Sequence, residues 1–182
     1  MIHVFDNLNR FSEQQYQQLF EQLPPSRKAK AAILDGDGRK IAISEYYLLK
    51  KLLQLKDNVD LSYDEKGKPV LAGYNFSFSH CDKVICIAVE DTPVGVDIEK
   101  LRSYDDSLAS YVLNDDELAF VRAQPNKDEL FTKLWTQKEA TIKCLGVNLD
   151  TPLKNIIDTQ RFCYTFDKYK HYYICQCALK NN

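Results

Sequence analysis

Two helix-patterned stretches, each followed by strand-patterned runs, meet at Asp91-Thr92-Pro93, and this repeated order narrows the possible folds more than any other feature. In the first stretch Ser12 caps a helix over Glu13 to Leu23 that Pro24-Pro25 stops. A second helix begins at Ser26-Arg27-Lys28-Ala29-Lys30 and breaks at Asp35-Gly36-Asp37-Gly38, and a third, long and well buried, runs from Arg39 to about Lys56. Strand signals follow at Val70-Leu71, Phe76 to Ser79, Val84 to Glu90 and Val94 to Glu99. The last two read as a hairpin turning at Asp91-Thr92-Pro93. In the second stretch Asn114, with Glu117 three residues on, opens a helix to about Ala123. Asn126 opens another to about Leu145, stopped by Gly146, and Phe162 to Phe166 with Tyr172 to Leu179 form a closing hairpin. The pattern predicts an α+β chain with lobes over residues 1–92 and 93–182, although no internal sequence similarity establishes a duplication.

At 182 residues the chain can bury a core without disulfide or metal staples. A net charge of −2 gives no basis for bulk nucleic-acid binding or for disorder. No apolar run reaches the ~18 residues of a membrane span. The start Met1-Ile2-His3-Val4-Phe5-Asp6 lacks the basic and apolar regions of a signal peptide. Most of the six cysteines sit in apolar alternation, as in Ile85-Cys86-Ile87, where a reduced thiol acts as a small hydrophobe. The expectation is therefore a cytoplasmic chain that meets neither membrane nor nucleic acid. A zinc site is not expected, because there is no CxxC pair and the three histidines stand away from ligand spacing. Charge is uneven: residues 24–56 hold eight basic and three acidic side chains, residues 90–129 four basic and eleven acidic. Solvated helix faces account for this, and so does an anion site opposed to a cation site, as a polyphosphate with a metal would require.

In Gly95-Val96-Asp97-Ile98-Glu99 the period of two puts both carboxylates on one strand face, about 6.5 Å apart along the backbone. They could converge on one hard cation such as Mg²⁺, or simply mark an exposed strand end. Phe131, Trp135, Glu139 and Lys143 form one i,i+4 helix row. Glu139 and Lys143 read either as an ordinary helix ion pair or as a third carboxylate or general base beside a phosphate-neutralising lysine. His80 follows Ser79 at a strand end, with Phe76 and Phe78 assigned to the other pleat face. Lys68 lies in the turn Gly67-Lys68-Pro69. Glu117 is explained by capping and stays outside the site.

In this order, Gly67-Lys68-Pro69, Phe76-Ser77-Phe78-Ser79-His80, Gly95-Val96-Asp97-Ile98-Glu99 and Trp135-Thr136-Gln137-Lys138-Glu139-Ala140-Thr141-Ile142-Lys143 resemble the 4′-phosphopantetheinyl transferases. The resemblance is to the larger Sfp-like type, and it runs from Leu23 to about Gly146. It implies two similar α/β lobes related by pseudo-twofold symmetry in one chain, each with a small, mostly antiparallel sheet and packed helices. The N-terminal lobe (1–92) would contact the nucleotide and 3′-phosphate of coenzyme A, and the C-terminal lobe (93–182) would carry the metal carboxylates and catalytic helix. The implied reaction moves 4′-phosphopantetheine from coenzyme A to a serine of an apo acyl or peptidyl carrier protein and releases 3′,5′-ADP. By resemblance Asp97, Glu99 and Glu139 hold Mg²⁺, and Glu139, directly or through a metal-bound water, takes the serine proton. Lys143 and His80 meet the phosphates. Arg27 and Lys30 hold the 3′-phosphate, with Arg39 near the nucleotide, and Lys68 and Pro69 border the adenine, with Ser79 beside His80. Ser77 stands where the family usually has Asn, and Arg27 where Lys is often seen. A monomer is expected, docking its carrier mainly through apolar contacts with local basic help. A metal-dependent nucleotide phosphoesterase and a non-catalytic coenzyme A or carrier-binding module are the competing readings.

Overall fold

Apolar alternation at the N-terminus places Ile2–Phe5 as strand β1 against a run of buried residues far along the chain, and the rest of the first half is built around that pairing. The computed structural model describes residues 1–147 and 152–181. After β1 come helices α1 (Glu13–Glu21), α2 (Pro25–Ala32) and α3 (Gly36–Leu52). Short strands β2 (Ser62–Tyr63) and β3 (Pro69–Val70) pair with each other, and β4 (Asn75–Cys81) and β5 (Val84–Glu90) follow. The second half holds β6 (Val94–Lys100), α4 (Asp106–Val112), α5 (Asp115–Arg122), α6 (Lys127–Leu145), β7 (Phe162–Tyr169) and β8 (Tyr172–Leu179).

Ser12 and Gln15 form a reciprocal capping box on α1, and Asn114 and Glu117 form one on α5. Helix α3 begins at Gly36, earlier than its sequence pattern suggests. Gly36, Asp37 and Gly38 do not break a helix but make the first turn of α3, where backbone N–H groups need no intrahelical partner. The helix ends at Leu52, and Gln54 adopts a left-handed conformation just beyond it.

Two three-stranded antiparallel sheets carry the core. The first has the order β1-β5-β4 and the second β6-β8-β7, so in each the first strand pairs with the last and the middle strand lies outside. The expected hairpin between Val84–Glu90 and Val94–Glu99 does not form. Strand β5 turns back to β4 through Asp82-Lys83, with Asp82 left-handed, while β6 pairs with β8. Asp91-Thr92-Pro93 is a crossing between sheets. It is tied to the second sheet by the Thr92 hydroxyl donating to the Leu179 carbonyl at 2.7 Å and by the Leu179 N–H donating to the Pro93 carbonyl at 3.0 Å.

Val94, Val96 and Ile98 of β6 pack with Val84, Cys86, Ala88 and Ile174 between the sheets. The edges β4 and β6 meet through serine hydroxyls instead of a backbone ladder: the Val96 N–H donates to Ser77 Oγ (3.1 Å) and the Ile98 N–H to Ser79 Oγ (3.3 Å). On the opposite face of β4, Phe76 and Phe78 pack toward α3, and His80 lies with them, not across from them. Gly95 faces α6 so closely that a Cβ would collide with the Ala140 carbonyl oxygen and the Cys144 backbone nitrogen. Only glycine lets the helix lie on the strand there. Helix α6 is anchored at its other side by Lys138, which is fully buried and donates to Glu117 and to the carbonyls of Leu153 (3.0 Å) and Lys154 (3.1 Å). Among the described residues no helix is long and apolar enough to cross a membrane.

Candidate active site

The close packing of α6 on β6 puts the Gly95, Asp97 and Glu99 face of the strand against the row of Trp135, Glu139 and Lys143. Lys143 does not pair with Glu139, its i,i+4 neighbour. Its ammonium reaches across to Asp97 Oδ1 at 2.7 Å and to Ser79 Oγ at 2.9 Å, and Ser79 in turn donates to Asp97 Oδ1 at 2.9 Å. One lysine from α6, one serine from β4 and one aspartate from β6 thus join both sheets at a single point.

Asp97 is 4% exposed, and its second oxygen, Oδ2, is buried with no hydrogen-bond partner among the described residues. A bare buried carboxylate oxygen is costly, of order 1–3 kcal/mol or more, and marks a place that lacks a positive charge or donor. Glu99 is engaged elsewhere: its Oε1 accepts from Arg102 at 3.0 Å and from the Trp135 indole N–H at 3.2 Å, and the Arg102 guanidinium lies 4.6 Å from the Trp135 ring centroid. Glu139 makes no side-chain hydrogen bond among the described residues. Burial pushes its carboxyl above the usual range, and the charges of Asp97 and Glu99 push it further against the opposing pull of Lys143 and Arg102. The three carboxylates are therefore close enough to repel, but among the described residues no three Asp, Glu, His or Cys side chains are gathered at metal-coordinating distance. The expected convergence of Asp97, Glu99 and Glu139 on one point is not made, because Lys143 and Arg102 hold two of them aside. The hard oxygen donors, the orphaned Asp97 Oδ2 and the crowded negative charge nonetheless fit a divalent cation.

Beside this cluster lies a cavity of about 300 Å³ lined by Lys30, Glu45, Lys68, Pro69, Phe76, Ser77, Phe78, Ser79, His80 and Lys143. It brings together six of the residues assigned to coenzyme A by resemblance: Lys30, Lys68, Pro69, Ser79, His80 and Lys143. The Lys68-Pro69 loop is shaped by Asp64, whose Oδ1 accepts from the Lys66 N–H (3.0 Å) and the Lys68 N–H (2.8 Å) around a left-handed Gly67. The Lys68 ammonium donates to the Lys143 carbonyl at 2.6 Å and to the Val94 carbonyl at 3.3 Å, which ties the first half to the end of α6. Burial lowers its pKa.

Two of the assigned residues, Arg27 and Arg39, do not line this cavity. Arg27 is 0% exposed: it donates to Glu45 and to the Ala42 carbonyl, both at 2.8 Å, and so stands behind the cavity wall rather than on it. Arg39 stacks 4.1 Å from the Phe20 ring centroid in a separate cleft with Glu13, Tyr16, Gln17 and Lys40. Two charged residues of the site were missed from the sequence, Glu45 and Arg102. Glu45 had a signal, a lone acid within the apolar run Ile41 to Leu49, whereas Arg102 had none beyond its place three residues after Glu99. A larger groove of about 460 Å³ between α1 and α3 is lined by Leu19, Leu23, Ile43, Tyr46, Tyr47 and three lysines, and it contains none of these groups.

Residues 93–175, which carry the three carboxylates and Lys143, match the family model of the 4′-phosphopantetheinyl transferase superfamily. The chain is 28% identical to 4′-phosphopantetheinyl transferase gsp of Aneurinibacillus migulanus over 84% of its own length and 64% of that protein. It is 34% identical to 4′-phosphopantetheinyl transferase psf-1 of Bacillus pumilus over 49% of its length and 40% of that protein. To 4′-phosphopantetheinyl transferase Sfp of Bacillus subtilis (strain 168) it is 33% identical over 54% of its length and 46% of that protein. By these findings the second half of the chain is similar to the 4′-phosphopantetheinyl transferase superfamily. The relatives it matches include Sfp itself. The matches span between 40% and 64% of the length of these curated relatives.

Proposed function

We propose that this protein transfers the 4′-phosphopantetheine of coenzyme A to a serine of an apo acyl or peptidyl carrier protein and releases 3′,5′-ADP. The observation that carries the reading is the meeting of Lys143, Ser79 and Asp97 at the wall of a cavity lined by Lys30, Lys68 and His80. A polyphosphate needs such a basic lining, and the carboxylates stand immediately beside it. The two halves have the same strand order, which supports a pseudo-twofold arrangement with lobes over residues 1–92 and 93–182. Both halves of the cavity come from one chain, in keeping with a monomer. The six cysteines are unpaired, as suits a reducing cytoplasm.

Asp97, Glu99 and Glu139 would hold Mg²⁺, which when bound supplies a Lewis acid for the phosphate oxygens. Phe76 and Phe78, with Pro69, give the cavity its apolar wall, and Lys30, Lys68 and His80 form its polar one. In the transfer the serine oxygen attacks the β-phosphorus, a new P–O bond forms and the bond to the ADP oxygen breaks. Glu139, which makes no side-chain hydrogen bond among the described residues, takes the serine proton. Lys143 turns its ammonium from Asp97 to the phosphoryl oxygens as negative charge develops there, and His80 steadies the neighbouring phosphate.

Incubation with Mg²⁺, coenzyme A and an apo-carrier, followed by mass measurement of the carrier, tests the reading. A gain of one phosphopantetheine unit is expected. Hydrolysis of coenzyme A with an unchanged carrier would point to a phosphoesterase, and binding without turnover to a non-catalytic module.

A further inference from the structure

A carboxylate stands where the proposed anion pocket would seem to exclude one. Glu45 of α3 is 3% exposed and lines the cavity that holds Lys30, Lys68, His80 and Lys143. Its Oε2 accepts from Arg27 at 2.8 Å and lies 3.8 Å from the Lys30 ammonium, while its Oε1 lies 3.2 Å from His80 Nδ1. Burial alone would raise its pKa, but the hydrogen bond with His80 and the charges of Lys30 and Arg27 outweigh burial and hold it below the usual carboxylate range. Arg27 is itself fixed from three sides, by Glu45, the Ala42 carbonyl and the Tyr63 hydroxyl, with its guanidinium 5.5 Å from the Phe78 ring centroid.

We propose that Glu45 is a positioning residue: braced from behind by Arg27, its carboxylate orients the imidazole of His80 and restrains the ammonium of Lys30, so that these two, and not Arg27, meet the anionic ligand. The inference rests on the proposed reading of the cavity as a phosphate site. Its physical basis is the two-sided nature of the carboxylate. One oxygen satisfies the buried guanidinium, which without a counter-charge would be severely penalised. The other accepts from Nδ1–H and so turns Nε2 toward the cavity, where the imidazolium form donates Nε2–H to a phosphate oxygen. His80 is half exposed and Lys30 nearly so, hence both can reach a ligand while Arg27 cannot. Without Glu45 the Arg27 and Lys30 charges would repel each other, His80 would lose its Nδ1 partner, and Lys30 and His80 would disperse into solvent.

The test uses two variants, because Glu45→Gln alone risks leaving Arg27 buried without its counter-charge. The second replaces the pair together, Arg27→Met with Glu45→Leu, a swap of a buried ion pair for apolar volume that proteins often tolerate. Nitrogen-15 NMR of His80 in the ligand-free protein, above the pH at which the ring is protonated, reads the tautomer. Calorimetry with coenzyme A reads the ligand. The expected result is a single Nδ1–H tautomer in the wild type, a mixed population in the folded double variant, and a roughly tenfold weaker coenzyme A affinity. Lys30→Met should weaken coenzyme A in the wild-type background and do so less in the double variant, the non-additivity expected of coupled residues. An unchanged tautomer together with coenzyme A affinity within twofold in the folded double variant would overturn the proposal. If the wild type binds no coenzyme A, the reading of the cavity fails, and the NMR measurement alone decides the role of Glu45.

Discussion

Glu45 and Asp97 are both nearly buried carboxylates with a basic nitrogen at 2.8 and 2.7 Å, one on each side of the same cavity, yet their electrostatic conditions are opposite. Around Glu45 both oxygens are engaged and three basic side chains face one acid. Around Asp97 one oxygen has Lys143 and Ser79 while the other has no hydrogen-bond partner among the described residues, and burial raises the pKa of Glu139 nearby. In the first cluster the carboxylate is saturated, though Arg27 Nε has no hydrogen-bond partner among the described residues, and the cluster can serve as a frame. The second is short of positive charge, a shortfall that the proposed Mg²⁺ would relieve.

Asp97→Ala should break the comparison most severely. It removes the central acceptor of the second cluster without touching Glu45. Transfer is expected to fall by roughly 10²–10³-fold, with coenzyme A binding largely retained. Near-normal turnover in a folded Asp97→Ala protein would take Asp97 out of the site.

Lys143→Met should cut single-turnover transfer by roughly 10²-fold. Since the lysine pairs with Asp97 and not with Glu139, melting should also respond. Asp97 is left buried with only Ser79, at a cost of about 1–3 kcal/mol. Mg²⁺ should then raise the melting temperature of the variant more than that of the wild type. Equal Mg²⁺ effects on both proteins would show that no cation replaces the missing ammonium.

A pH series sharpens the same contrast. Glu139 has a raised folded pKa, so folding favours its protonated form. The stability that this provides is complete below the unfolded carboxylate pKa and is lost as pH rises through the higher folded value. In metal-free buffer Glu139→Gln should therefore melt higher than wild type near neutral pH, and the gain should vanish in acid. A gain that persists below the carboxylate range would assign it to something other than charge.

Arg102 acts on the second cluster alone, by occupying Glu99. Arg102→Gln frees that carboxylate and should tighten Mn²⁺ binding, measured by electron paramagnetic resonance. The effect should reach at most about fivefold, because a part-exposed ion pair is worth up to ~1 kcal/mol. Weaker Mn²⁺ binding would instead make Arg102 a support for the site. Arg39→Ala is expected to have the smallest effect, leaving coenzyme A affinity within about twofold, since Arg39 stacks on Phe20 outside the cavity. A tenfold loss would return Arg39 to the ligand.

What the sequence determined by itself was local and periodic. The alternation of Gly95 to Glu99 separates Val96 and Ile98 on one strand face from Asp97 and Glu99 on the other, the spacing of α6 aligns Trp135, Glu139 and Lys143, and the caps at Ser12, Asn114 and Gly146 form where those residues stand. These features follow from backbone geometry within a few residues, which the chain fixes wherever it is. What the tertiary structure decided was partnership. Val84–Glu90 pairs with β4 and β1 instead of its next strand, Lys143 passes over Glu139 for an aspartate 46 residues away, and Arg27 turns inward to Glu45 and leaves Lys30 and His80 on the cavity wall. Those choices depend on which surfaces meet once the two sheets close on each other. There, desolvation and the need to satisfy each buried charge select one partner among several that the sequence permits equally.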